Sequence, residues 1–247
     1  MKKIIITLII LLFALPGFTQ EIVNLILVGK NGVTEDIKEA ESFIVIKEFP
    51  QGFQRLDYAL GGPLTKVRNY ADTNLSVLNG GYCEYSFNGA LTLRGHFINN
   101  TKEKSWYYYN DAGKVILEQK YENGLLVKTI NPDTLKKKDV GDTKPKAGEV
   151  EAHYKKGDQD WKDYLQKNLD FKVIDKSVRG GKVHVGFAID TSGKCMDVYL
   201  IRSAEFVLDE EAIRMIEDSQ LWHPAIQDGK KIIAYRTQPF TFKKGDN

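Results

Sequence analysis

"GKVHVGFAIDTSGKCMDVYLIRSAEFVLDEEAIRMIEDSQLWHPA", residues 181–225, carries the clearest architectural signal in the 247-residue chain. Val183, Val185, Phe187 and Ile189 alternate with His184, Gly186, Ala188 and Asp190, and Met196, Val198 and Leu200 alternate with Asp197, Tyr199 and Ile201. A period of two marks strands with one buried face, so the stretch predicts a hairpin closed at Asp190–Lys194, with Gly193 supplying the left-handed residue. Leu208, Ala212, Met215 and Ile216 then share one face of a helix. Asp209, Glu210 and Glu211 fall at its start, where the macrodipole favours negative charge, and that placement accounts for them without a metal or catalytic cluster. Pro224 ends any helical continuation, and Trp222 is expected to close the helix against the sheet.

Downstream, "IIAYRTQPFTF" predicts a final strand from Ile232 to Phe242. Pro239 cannot donate to a ladder, which places at least that end on a sheet edge or at a bulge. Such an edge offers unpaired backbone to an extended peptide. Upstream, Trp161, Tyr164, Leu165 and Leu169 recur at i, i+3, i+4 and i+8, one face of an amphipathic helix. Before it, residues 131–150 hold five lysines, two prolines and two glycines but few large apolar side chains, the composition of a linker that reaches about 70 Å when extended.

The middle of the chain repeats itself. "YALGGPLTKVRNY" from Tyr58, "YSFNGALTLRGHF" from Tyr85 and "YNDAGKVILEQKY" from Tyr109 each place an aliphatic residue six positions after the first aromatic and a second aromatic six later. Gly62, Gly89 and Gly113 precede Leu64, Leu91 and Val115, where a hairpin turn calls for positive φ. Stacked hairpins follow from a period of this length, with the aromatics as their packing rather than a ligand site. "NLILVGKNG" and "SFIVIKEF" read as further strands that cap the stack.

Lys2 and Lys3 precede an apolar run from Ile4 to Leu15, then Pro16, Gly17, Phe18, Thr19 and Gln20, the pattern of a secretory signal cleaved near Thr19. A spanning helix needs roughly 20 apolar residues, and Ile4–Phe18 gives 15 positions including a proline and a glycine. Thirty-five basic residues against 33 acidic leave no field that favours nucleic acid. Cys83 and Cys195 are the only disulfide candidates, and small buried side chains are the simpler reading. His96, His153, His184 and His223 show no metal-ligand spacing, and no nucleophile elbow or phosphate loop is present. We therefore expect no cofactor, metal or catalytic residue, and a protein-binding role.

Two stretches resemble known families. "FINNTKEKSWYYYNDAGKVILEQKYENGLLV", residues 97–127, resembles MORN-like repeats, as does the surrounding segment 55–130. Glu103 and Lys104 replace the usual glycine before Ser105 and Trp106, which implies a looser turn there. Residues 161–243 resemble the C-terminal domain of TonB-family energy transducers: a G-x-V-x-V-x-F-x-I-D strand, an x-x-G-K turn, a D-V-x-L strand, a Leu-Asp-Glu-Glu-Ala helix, a W-x-P-A corner and a closing P-F-x-F strand. Cys195 stands where that family commonly has an aliphatic residue.

The resemblances imply an α+β chain, with N-terminal all-β stacked hairpin repeats and a C-terminal domain of two helices on a three-stranded antiparallel sheet. The expected divisions are a signal peptide at 1–19, the repeat domain at 20–130, the linker at 131–150 and the TonB-like domain at 151–247. The family resemblance also implies strand addition of short peptides of outer-membrane receptors, or of other envelope proteins. The docking edge would be Ile232, Ile233, Ala234, Tyr235, Arg236, Thr237 and Gln238, with selectivity from Tyr235 and Arg236. The periplasm of a Gram-negative bacterium is the implied location. A membrane-anchored energy transducer with an uncleaved N-terminus is the alternative, and unpaired strand edges leave homodimerisation open in either module.

Overall fold

The computed structural model describes residues 21–132, 149–220 and 222–244. The expected signal peptide, and the linker between residues 133 and 148, lie outside them. Ten strands form the first module: β1 (Glu21–Gly29), β2 (Gly32–Thr34), β3 (Ala40–Phe49), β4 (Gly52–Ala59), β5 (Leu64–Tyr70), β6 (Leu78–Tyr85), β7 (Leu91–Ile98), β8 (Thr101–Tyr109), β9 (Val115–Glu122) and β10 (Leu125–Ile130). They make one antiparallel sheet in the order β10-β9-β8-β7-β6-β5-β4-β3-β1-β2, a meander from β3 to β10.

The sequence repeat becomes three superimposable hairpins. Tyr58 pairs with Leu64, Tyr85 with Leu91 and Tyr109 with Val115, each beside a register shift one residue before the tyrosine. Each turn is closed in the same way, Gly62 N–H to Ala59 O, Gly89 N–H to Ser86 O and Gly113 N–H to Asn110 O. The first turn departs in one respect: positive φ falls on Gly61 (58°) and not on Gly62. Pro63 follows Gly62 and confines it to extended backbone, so the left-handed residue moves back by one. Where a glycine was expected before Ser105 and Trp106, Lys104 itself adopts φ 61°.

The two faces of this sheet have different tasks. On one, Trp106 is 1% exposed and packs against Tyr82, Phe97 and Tyr121, with Lys102 Nζ 4.2 Å from its ring centroid. Gly95 leaves room for that indole, since a Cβ there would lie 2.2 Å from the ring. On the other, Val45, Leu56, Val67, Cys83 and Arg94 are successive cross-strand partners, flanked by Tyr58, Tyr85 and Leu91. That apolar row needs cover, and the second module supplies it.

The second module comprises β11 (His153–Tyr154), α1 (Asp158–Asn168), α2 (Lys172–Lys176), β12 (Gly181–Ile189), β13 (Cys195–Arg202), α3 (Phe206–Glu217), β14 (Trp222–His223), β15 (Ala225–Gln227), β16 (Lys230–Ile232) and β17 (Ala234–Phe242). Its main sheet is antiparallel in the order β13-β12-β17, as expected, but three helices pack around it rather than two, because the short α2 intervenes. The final strand also starts later than expected. Ile232 belongs to the β15–β16 hairpin, and the last strand begins at Ala234. Asp228 and Gly229 both adopt positive φ (49° and 74°), the mark of a type I′ turn that ends one strand and begins another.

Helix α3 lies between the two sheets. Leu208, Ala212, Met215 and Ile216 are fully buried in a core that also contains Val183, Val185 and Phe187 from β12 and Tyr58, Leu64 and Leu91 from the repeats. Phe206 meets Phe43 and Tyr58 edge-on, with ring centroids 6.0 and 5.4 Å away. The hairpin turns press on the residues after β13: Ser203 N–H donates to Gly89 O (2.9 Å), Leu64 N–H donates to Ser203 Oγ (2.7 Å), and Arg202 Nη1 donates to Asn88 O (3.1 Å).

Equivalent glycines of two repeats should respond unequally to substitution. A Cβ on Gly89 would meet Ser203 O at 2.1 Å, whereas one on Gly113 meets only Ile201 Cγ2 at 3.8 Å, and both residues have positive φ (80° and 75°). Gly113→Ala should cost about 1 kcal/mol of backbone strain, and Gly89→Ala about 3 kcal/mol because the carbonyl must also move. Urea unfolding midpoints check this, and equal losses would contradict the seam described here.

Candidate peptide-docking edge

The three-stranded sheet has two edges, and the repeats occupy one of them. Ala90 makes an antiparallel bridge to Arg202, and Tyr85 OH donates to Leu200 O (3.0 Å). Arg94 pairs with Asp197 and lays its guanidinium 3.8 Å from the Tyr199 ring centroid. The C-terminal half of strand β13, from Tyr199 to Arg202, is therefore covered by β6, β7 and the turn between them, while Met196 near its start stays 42% exposed.

Strand β17 is the open edge. It pairs with β12 without a register shift from Ala234↔Ile189 to Phe242↔Gly181, and among the described residues no strand lies on its other side. Backbone groups of alternate residues point alternately toward and away from β12. The Phe242 carbonyl lies toward β12, 2.6 Å from where a Cβ on Gly180 would be, so even-numbered residues face inward. Pro239, which lacks an N–H, then falls on the outward set, where a strand proline is tolerated. Tyr235 and Thr237 share that set, each with an outward N–H and C=O.

The sequence-derived edge is thus divided by the structure. Ala234, Arg236 and Gln238 turn their side chains to the helix face: Gln238 Oε1 accepts from Trp161 Nε1 (2.7 Å), and Arg236 donates to Ala152 O while lying 5.8 Å from the Trp222 ring. Tyr235 is 73% exposed, so of the two residues expected to select a partner it is the one left free to do so. Thr237 is exposed beside it, and Ile232 and Ile233 lead into the strand from the preceding hairpin.

A groove of about 540 Å³ runs beside residues 234–237, with Val150, Ala152, Ile226 and Ile232 on its opposite wall. That wall was missed in the sequence because it is built from short pieces. Val150 pairs with Ile226, His153 with His223 and Tyr154 with Trp222, one continuous register interrupted at Pro224. Trp222 anchors it, 6% exposed among Tyr154, Trp161 and Phe187, with Nε1 donating to Ser219 Oγ (3.0 Å). Its role is structural, as expected.

The three acids of α3 each have a distinct partner, which the helix-start reading did not foresee. Helix α3 begins at Phe206, so only Asp209 lies in its first turn. Glu210 pairs with Lys47 across the module boundary (2.5 Å), and Glu211 accepts from Asp170 N–H (2.8 Å) and pairs with Arg214 (2.7 Å). Asp209, 0% exposed, accepts from Ser203 Oγ, from Ala204 N–H (3.0 Å) and from Tyr58 OH (3.2 Å). Burial pushes its carboxyl up to about 7 against the hydrogen bonds that favour the charged form. Cys83 and Cys195 are free thiols, both raised to about 11 by burial, and neither is a ready nucleophile. Among the described residues, no group of three or more His, Cys, Asp or Glu side chains is placed to hold a metal, and no helix is long and apolar enough to cross a membrane.

Residues 174–243 match the family model described as Gram-negative bacterial TonB protein C-terminal. They carry a TonB C-terminal domain. The match takes in α3, β12, β13 and β17, and begins after α1 and β11, so the far wall of the groove at Val150–Ala152 precedes the matched segment. The repeat hairpins also lie before it, and their likeness to MORN repeats rests on sequence and hairpin geometry alone. No curated protein and no solved structure matches the chain.

Asp209 makes stability depend on pH in a defined direction. Its carboxyl has a higher pKa in the fold than in the unfolded chain, so the folded state binds more protons between about pH 4 and 7. Its contribution is fully present below the unfolded value and is lost as pH rises through 7. In Asp209→Asn the difference from wild type should therefore shift in favour of the variant by up to about 4 kcal/mol between pH 4 and pH 8. Urea titrations across that range check it, and a pH-independent difference would contradict it.

Proposed function

We propose that this chain is an exported envelope protein whose TonB-like C-terminal domain docks extended peptides of outer-membrane receptors, or of other envelope proteins, by strand addition along β17. The observation that carries this reading is the asymmetry of the small sheet: the repeats cover the C-terminal half of β13, and β17 presents unpaired backbone beside a groove. The family match supports a protein partner in a Gram-negative envelope. The N-terminal Lys2, Lys3 and Ile4–Leu15 pattern supports export to the periplasm.

Main-chain hydrogen bonds to Tyr235 and Thr237 would supply affinity, and side-chain contacts with Tyr235 and the groove would supply selectivity. The role is one of binding rather than catalysis. The family match also favours a second reading, a membrane-anchored transducer that keeps its N-terminus. The intact mass of the protein in soluble and membrane fractions separates the two.

Proline at position 235 would delete an outward N–H and leave the β12 ladder whole. Tyr235→Pro is expected to weaken binding to a panel of synthetic extended peptides at least tenfold, about the loss of one well-placed bond and its contacts, with the melting temperature nearly unchanged. A folded variant that binds as wild type does would remove this edge from the account.

A further inference from the structure

The strand-addition reading, on which this step rests, leaves open how much of β17 a partner can use. Pro239 interrupts the open edge. Its nitrogen carries no proton, and its ring occupies the position from which an outward N–H would donate. On its N-terminal side stand the outward groups of Tyr235 and Thr237, and the groove accompanies the same segment, lined by residues 234–237 but by nothing later in the strand. On its C-terminal side only Thr241 belongs to the outward set before the strand ends at Phe242.

We propose that Pro239 is a specificity-determining stop, which confines a partner to a short extended segment paired with residues 233–238. A longer strand gains nothing by continuing, because it would meet a ring in place of a donor and must bend away. Side chains on the groove side of that segment face a mixed lining, Val150, Ala152, Ile226 and Ile232 together with Glu149, Glu151 and Gln227. Those on the other side lie along the Tyr235 ring. The partner is thus a short extended strand of another protein, flanked by a turn or by chain that leaves the sheet.

The test uses the full mature chain and two acetylated synthetic peptides of alternating threonine and valine, one of five residues and one of ten. In the wild type, both should bind within about twofold of each other, and the ten-residue peptide should slow exchange of the Tyr235 and Thr237 amides at least tenfold while leaving the Thr241 amide unchanged. In Pro239→Thr the ten-residue peptide should bind about tenfold tighter than the five-residue one, and the Thr241 amide should become protected. Unaltered exchange along β12 verifies that the variant is folded. Protection of Thr241 in the wild type, or no length dependence in Pro239→Thr, would overturn the stop while leaving strand addition in place. No protection of Tyr235 or Thr237 in either protein would overturn strand addition itself, and the stop with it.

Discussion

Ser203 joins the two halves of the molecule through its backbone N–H and its hydroxyl. Its N–H donates to Gly89 O in the second repeat turn, its hydroxyl accepts from Leu64 N–H after the first, and the same hydroxyl donates to Asp209 on α3. The residue is 3% exposed, so none of these bonds competes with water. With that seam in place, the apolar row from Val45 to Cys83 has a cover, α3 has a second surface to pack on, and β13 is covered over its C-terminal half. Without it, each module would present a large apolar face to solvent.

The seam gives the repeats a task that does not require them to bind anything outside the chain. Their turns recur because they dock, at Gly61 on Arg179, at Asn88 and Gly89 on Arg202 and Ser203, and at Gly113 beside Ile201. A sheet with two open edges can pair with copies of itself or with any extended chain. Covering much of one edge from within leaves β17 as the longer open edge, with a groove on one side and an exposed tyrosine on the other. The same interior holds the Asp209 carboxyl, which burial pushes up to about 7. Burial of that kind is a cost that the surrounding packing must offset, and it makes the joint sensitive to proton concentration.

Much of this was legible in the sequence. Alternation in residues 183–200 marks the hairpin, although Asp197 at φ 53° breaks the alternation of its second strand and leaves Met196 42% exposed; the Tyr-to-aliphatic spacing marks three turns, the first with its left-handed residue at Gly61 rather than Gly62; and Pro239 pointed to an edge. What could not be read was long-range. Lys47 and Glu210 are separated by 163 residues, and Tyr58 and Asp209 by 151, so the acids of α3 looked like ordinary helix-start charges. The start of β17 at Ala234 has a local cause: Asp228 and Gly229, both at positive φ, close a hairpin that takes Ile232 into the preceding strand. The groove wall escaped because it is made of an isolated bridge at Val150 and the two-residue strand β11, whose partners β14 and β15 are separated by a proline.

The repeat sheet and the TonB-like domain share one core and are expected to fold as one body. Differential scanning calorimetry of the mature chain tests this most directly. One transition, with a calorimetric enthalpy equal to the van't Hoff enthalpy, is the result expected of a shared core. Two separable transitions, with the C-terminal domain melting independently of the repeats, would contradict it.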